Sequence, residues 1–136
     1  MKHLINNTMN AITPMAIMVG RALLGLYFVL PGILKFVAWD MHVALMEQHG
    51  MVFIPFFLAS AAIIQIIAGL GIIFNRYTAI FSLILAGLVI VININLHDFW
   101  NVATEQQNFV KNMAIFAGLL VLAGFSWKEK NKALSS

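Results

Sequence analysis

Residues 14–38 have the sequence PMAIMVGRALLGLYFVLPGILKFVA, and this stretch decides the class of fold. As a helix it is long enough to cross a bilayer, for which about 20 apolar residues suffice. It nevertheless contains two cations, Arg21 and Lys35. A cation inside such a helix costs roughly 2.5–3.5 kcal/mol on insertion scales, so each needs a partner or a route to the interface. Their spacing puts them about 40° apart around the helix and about 21 Å apart along it, which predicts one polar seam.

The composition indicates an integral membrane protein made of helices. Hydrophobic residues form 62% of the 136 positions, charged residues 10%, and the mean hydropathy is +0.92. The length leaves room for a single domain, residues 1–136. Cysteine is absent, which excludes disulfides, thiolate metal sites and Fe–S clusters in this chain. The basic pI of about 9.5 comes from residues at helix ends and in the tail, so we expect lipid headgroups and no nucleic acid as the partner.

Hydropathy predicts four spanning helices, at about residues 14–38, 53–74, 77–96 and 109–125. In the hydrocarbon core of a bilayer a spanning segment must form its backbone hydrogen bonds internally, so all four segments are predicted to be helical. The short Asn75-Arg76 connection forces the second and third helices into a hairpin, which predicts an antiparallel four-helix bundle. The connections at 39–52 and 97–108 are longer, and the Lys-rich end, Lys128–Ser136, is predicted to be disordered.

The distribution of Lys and Arg predicts the orientation. The side that holds both termini and the Asn75-Arg76 connection carries the residues Lys2, Arg76, Lys128, Lys130 and Lys132. The two longer connections contain no Lys or Arg. By the positive-inside rule both termini are cytoplasmic, and the chain is a multi-pass protein of the bacterial inner membrane.

Helix depth predicts which polar residues meet. Arg21 in the first helix and Gln65 in the second are expected at a similar level, as a buried structural pair. At the outer end we expect one pocket for a substrate or quinone, formed by Lys35, Asn93, His97, Lys111 and Asn112. His97 and the adjacent Asp98 are the candidate catalytic residues. The Lys111 face is expected to continue inward through Ala114 and Gly118, because small residues let helices approach closely.

Each of these residues also has a simpler interpretation. Lys35 and Lys111 can extend to the outer headgroups, and asparagines commonly hold membrane helices together. His42 and His49 lie in a connection without a third ligand, so no metal site is predicted. Glycines such as Gly25, Gly32, Gly69 and Gly71 are expected at close helix contacts.

Several motifs together resemble the DoxX family of small four-helix membrane proteins. They are Arg21-Ala-Leu-Leu-Gly25 with Gly32 and Lys35, Gln65-Ile-Ile-Ala-Gly69-Leu-Gly71, His97-Asp98-Phe99-Trp100, and Phe109-Val-Lys111-Asn112-Met-Ala114 with Gly118. The family name derives from a subunit associated with thiosulfate:quinone oxidoreductase, so the resemblance implies redox chemistry with partner proteins. The family often has an acidic residue at the position of Gln65, and this chain departs from that pattern.

Two functions remain open from the sequence. One is a quinone-linked redox subunit, in which the cationic donors stabilise the charge of a reduced quinone and a partner chain supplies the electron carrier. The other is a non-enzymatic scaffold, or a carrier of a small molecule, anion or lipid. In both cases we expect the isolated chain to have no catalytic activity of its own and no covalent cofactor. Both are compatible with a homo-oligomer.

Overall fold

The protein is a bundle of helices. The computed structural model describes residues 1–135 and, over that range, contains no strand. The helices are α1 (Lys2–Val37), α2 (Trp39–Gln48), α3 (Ile54–Ile73), α4 (Thr78–Leu96) and α5 (Gln106–Ser135), with a 3-10 helix at Ala103–Glu105 ahead of α5. Within the described residues α1, α3, α4 and α5 are long and apolar enough to cross a membrane. The predicted all-α class with four spans is confirmed.

Both outer helices extend further than hydropathy predicted. α1 begins at Lys2 and continues through Pro14, where the sequence predicted its start. The residues before Pro14 include no other helix breaker, and the hydroxyls of Thr8 and Thr13 donate back to the carbonyls of Leu4 and Met9. The polar residues before Pro14 are therefore part of α1, although hydropathy alone predicts no helix there.

The predicted disorder at Lys128–Ser136 is wrong as far as Ser135. α5 remains helical to that residue, while Ser136 lies outside the described residues. Lys, Glu, Ala and Leu dominate this segment, and all four have high helix propensity. The polar residues end the apolar, membrane-spanning part of α5 here, but the helix continues to Ser135.

The two ends of the bundle differ in construction. At one end, here called the turn end, α3 and α4 are joined by a tight turn in which Asn75 and Tyr77 have φ of 56° and 54°. The amide of Arg76 donates to the carbonyl of Gly71 across 2.7 Å to close this turn. The other end, here called the loop end, holds α2 and the 3-10 helix. Both chain termini lie toward the turn end, because the four long helices alternate in direction.

Glycines set the contact between α1 and α3. A Cβ added to Gly25 would lie 2.6 Å from the carbonyl oxygen of Gly69, and one added to Gly69 would lie 2.8 Å from the carbonyl oxygen of Gly25. Both distances are closer than a methyl group tolerates, so the two backbones approach here because neither residue has a side chain. The predicted close-packing role of these glycines is confirmed.

The core lies where four helices meet. Phe28 of α1, Ile72 of α3, Leu85 of α4 and Leu119 of α5 are each at most 1% exposed. A second, smaller cluster joins α2 to the bundle, since Met46 packs against Ile54 and Leu58 of α3. The 39–52 connection is therefore largely helical and covers the loop end.

The inward face of α5 differs from the predicted one. Lys111, Ala114 and Gly118 are exposed, whereas the buried positions are Asn112, Leu119 and Ala123. A shift of one residue turns a helix face by about 100°, which accounts for the difference. On α4 the buried face includes Ser82, Ala86, Val89 and Asn93.

Candidate functional site

A chain of side-chain hydrogen bonds crosses the bundle between three helices. The hydroxyl of Tyr27 in α1 donates to Asn112 Oδ1 across 3.2 Å. Asn112 Nδ2 donates to Asn93 Oδ1 across 2.9 Å, and Asn93 Nδ2 donates to the Phe109 carbonyl across 3.1 Å. Asn93 is 1% exposed. This chain joins α1, α4 and α5 in a region where apolar packing alone would fix no register.

The two asparagines therefore bond to each other and to the backbone. The sequence predicts that Asn93 and Asn112 line a ligand pocket together with Lys35, Lys111 and His97. Neither asparagine lines the cavity at the loop end described next. Their contacts match the interhelical role that asparagine commonly has in membranes.

A cavity of about 350 Å³ opens at the loop end between α2, α3 and α4. Its polar lining consists of Lys35 from α1, His42 from α2, Ser60 from α3, and Asn95 and His97 from the end of α4. The rest of the wall is apolar and reaches inward to Leu88, which lies about 12 Å from Leu96 along α4. Ligand pockets in proteins have this volume and this mixture of an apolar wall with few polar groups.

His97 is held by a carboxylate that the sequence did not indicate. Its Nδ1 donates to Glu105 Oε2 across 2.6 Å, and Asn108 Nδ2 donates to the same oxygen across 3.0 Å. A carboxylate at Nδ1 fixes the ring orientation and leaves Nε2 as the free nitrogen. His97, Glu105 and Asn108 are all partly buried, so the group is shielded without being closed off.

Asp98 follows His97 in the chain and is the second candidate catalytic residue, but it is not hydrogen-bonded to His97. Its Oδ2 accepts from Asn101 Nδ2 across 2.7 Å, within the loop. Adjacent residues at the end of a helix diverge by about 100°, whereas the loop after Asp98 folds back and carries Glu105 to the histidine.

Lys111 does not share the cavity with Lys35. Lys111 is exposed on α5, and its Nζ lies 3.5 Å from Asn108 Oδ1, at the limit of a hydrogen bond. Lys35 is partly buried and lines the cavity. The predicted meeting of both lysines is therefore wrong, and Lys35 and His97 are the two predicted site residues that the cavity brings together.

The predicted pair of Arg21 and Gln65 is also wrong. Arg21 Nε donates to the Ile72 carbonyl across 3.1 Å, near the turn end. Gln65 lies beside Gly32, and its Oε1 is buried without a hydrogen-bond partner. The glycine contacts fix the register of α1 on α3, which leaves Gln65 about 10 Å from the level of Ile72.

Sequence reasoning did not assign five residues to the site: Tyr27, His42, Ser60, Asn95 and Glu105. Each is positioned by tertiary structure and carries no local motif. His42 Nδ1 donates to the Ala38 carbonyl of its own helix across 2.8 Å, which leaves Nε2 for the cavity. In residues 1–135 no group of three or more His, Asp or Glu residues could hold a metal ion.

The fold and the cavity define a small multi-pass membrane protein with a ligand-sized chamber at one end of a four-helix bundle. Residues 16–98, more than half of the chain, match the DoxX family. The protein therefore belongs to the DoxX family. The match covers α1 to α4 except the first turns of α1, and the similarity of residues 109–120 to that family lies beyond it. No curated protein sequence and no solved structure matches the chain.

Proposed function

We propose that this protein is an inner-membrane subunit that binds a quinone in the loop-end cavity and acts with a redox partner chain. The observation that supports this most strongly is the cavity itself, in which Lys35, His42 and His97 meet an apolar wall. A quinone has a flat apolar ring, an apolar tail and two oxygens that accept hydrogen bonds. The wall suits the ring and tail, and the nitrogens suit the oxygens.

His97 is the residue that would exchange a proton with the bound ring. Glu105 orients the imidazole through Nδ1, so the opposite nitrogen, Nε2, is left for a ligand oxygen. Lys35 would stabilise negative charge that develops on a ring oxygen. Electrons would come from a flavin, haem or dithiol of the partner chain, which supplies the cofactor that this chain lacks.

The test is a binding titration with a short-tail benzoquinone, using the purified protein in nanodiscs and equilibrium dialysis. Lys35→Met and His97→Phe should each weaken binding about tenfold, the equivalent of roughly 1.4 kcal/mol for one lost polar contact. Lys111→Met is the matched control, because it removes one lysine at the same end of the bundle from an exposed position. Equal loss in Lys35→Met and Lys111→Met would show that general charge, and not the cavity, governs binding.

A second pair of variants separates the two carboxylates. Glu105→Gln should weaken quinone binding and change its pH dependence, because Glu105 accepts the hydrogen bond that orients His97. Asp98→Asn should leave binding unchanged, since Asp98 bonds only within the loop. If no quinone binds and a lipid or other anion copurifies in the same cavity, the carrier function replaces the redox one.

A further inference from the structure

A second cavity, of about 520 Å³, lies at the turn end of the bundle, opposite the loop-end cavity. Its walls come from α1, from the turn between α3 and α4, and from the last part of α5. Arg21 bonds to Ile72 near the end of α3, so the preceding residues of α1 extend past the turn. α5 also continues past its apolar part at Phe125. These two projecting helices form the sides of a groove above the turn, called here the turn-end groove.

Three cations line the turn-end groove, one from each wall: Arg21, Arg76 and Lys130. Glu129 is the one carboxylate in the lining, so the groove has an excess of two positive charges. In the part of the chain that the structure describes, the one ion pair joins His97 to Glu105 at the other end. Among the described residues none of the three cations is therefore in an ion pair with a carboxylate, although nearby like charges repel one another.

The side chains of two of these cations are already positioned. Arg21 uses Nε to bond to the Ile72 carbonyl, which leaves both terminal nitrogens of its guanidinium for a ligand. Lys130 Nζ lies 5.5 Å from the centre of the Trp127 ring, within the range of a cation–π contact. An arginine with two free donors is well suited to the oxygens of a phosphate.

The remaining wall of the groove is apolar. Ile17 of α1, Ile80 of α4, and Leu122 and Phe125 of α5 line it beside the cations. Trp127 at its rim is half exposed, as expected of an aromatic residue at a membrane interface. A ligand that satisfies both parts needs an anionic head and a hydrocarbon chain. A free phosphate would satisfy the cations alone.

We propose that the turn-end groove binds an anionic membrane lipid, with its phosphodiester on Arg21, Arg76 and Lys130 and an acyl chain along the apolar wall. Basic pockets between membrane helices at the cytoplasmic side are suited to such headgroups. This site is independent of the quinone cavity, since the two share no lining residue.

The experiment measures lipid retention by native mass spectrometry, with the full chain in phosphatidylcholine nanodiscs that contain a minor fraction of phosphatidylglycerol. The parent should retain phosphatidylglycerol in preference to phosphatidylcholine. The double variant Arg76→Gln/Lys130→Gln should retain it about tenfold less or lower still, because it removes two charged donors that contact the phosphodiester in the groove. Both residues are exposed, so the substitutions should not disturb folding.

The matched control is Lys128→Gln/Lys132→Gln, which removes the same charge from α5 at positions outside the groove lining. Retention in this control should stay within about twofold of the parent, because exposed charges outside the groove act on the lipid only through water and salt, which screen them. Equal loss in both double variants would overturn the proposal in favour of general surface attraction. Displacement of the lipid by millimolar inorganic phosphate would overturn it as well, because the apolar wall would then contribute nothing.

Discussion

Asn112 and Asn93 share a hydrogen bond of 2.9 Å in the buried contact between α5 and α4. Both side chains are buried, and their remaining polar atoms bond to Tyr27 and to the Phe109 carbonyl. Apolar helices in lipid gain little from hydrophobic association, so such polar contacts carry much of the specificity of packing. This contact fixes the rotation of α5, the helix whose inward face the sequence predicted wrongly.

The first prediction concerns this pair. Asn93→Leu and Asn112→Leu should each lower the free energy of unfolding by about 1–3 kcal/mol, because each leaves a buried partner unsatisfied. The double variant should lose less than the sum, with a coupling of about 0.6 kcal/mol, the average of double-mutant cycles in a helical membrane protein, and no more than about 1.7 kcal/mol, their maximum. Thermal or denaturant unfolding in one detergent measures all four proteins. Asn95→Leu is the control, since Asn95 is exposed and bonds only to Val91 of its own helix. Strict additivity would contradict a direct bond.

A second prediction tests the close approach of α1 and α3. Gly69→Ala should destabilise the protein by about 1–3 kcal/mol, the usual cost of overpacking, because its methyl group would meet Val29 and the Gly25 carbonyl. Gly87→Ala is the control, since a Cβ at Gly87 has no neighbour within 4 Å. That substitution should be neutral or stabilising, because alanine has the higher helix propensity. Similar effects of the two substitutions would mean that α1 and α3 are not in tight contact.

Hydropathy was sufficient to predict the number and class of the helices, because bilayer thickness sets the length of a span. It could not predict where α1 and α5 end, since both continue as helices outside the apolar segments. Close-packing glycines were predictable from sequence because few residues allow backbone contact. The hydrogen-bond partners of Arg21 and His97 were not, as each depends on a register or on a loop path that no local pattern encodes.

The third prediction contrasts two residues that the sequence had paired. Arg21→Met should lower stability by about 1 kcal/mol through the lost bond to Ile72, whose carbonyl keeps the Asn75 amide at 3.3 Å. Gln65→Met should leave stability unchanged or raise it, because the replaced amide oxygen is buried without a partner. Unfolding of both single variants and the double variant measures the coupling. A coupling above about 0.5 kcal/mol would indicate contact between the two residues, against the register described above.

The fourth prediction concerns orientation in the membrane. The turn end carries Arg76 and the Lys-rich part of α5, whereas the 39–52 and 97–105 segments at the loop end have no Lys or Arg. The positive-inside rule then places both termini in the cytoplasm. A cytoplasm-active reporter should be active when fused after Ser136, and a periplasm-active reporter should be active when inserted near Gln48, at the exposed end of α2.

Truncated chains test the same orientation. A reporter fused after Ile73 should remain in the cytoplasm, because two spans precede it, whereas a reporter fused after Leu96 should lie in the periplasm, because three spans precede it. Periplasmic activity at Ser136 would reverse the orientation, place the turn-end groove in the outer leaflet, and expose the loop-end cavity to the cytoplasm.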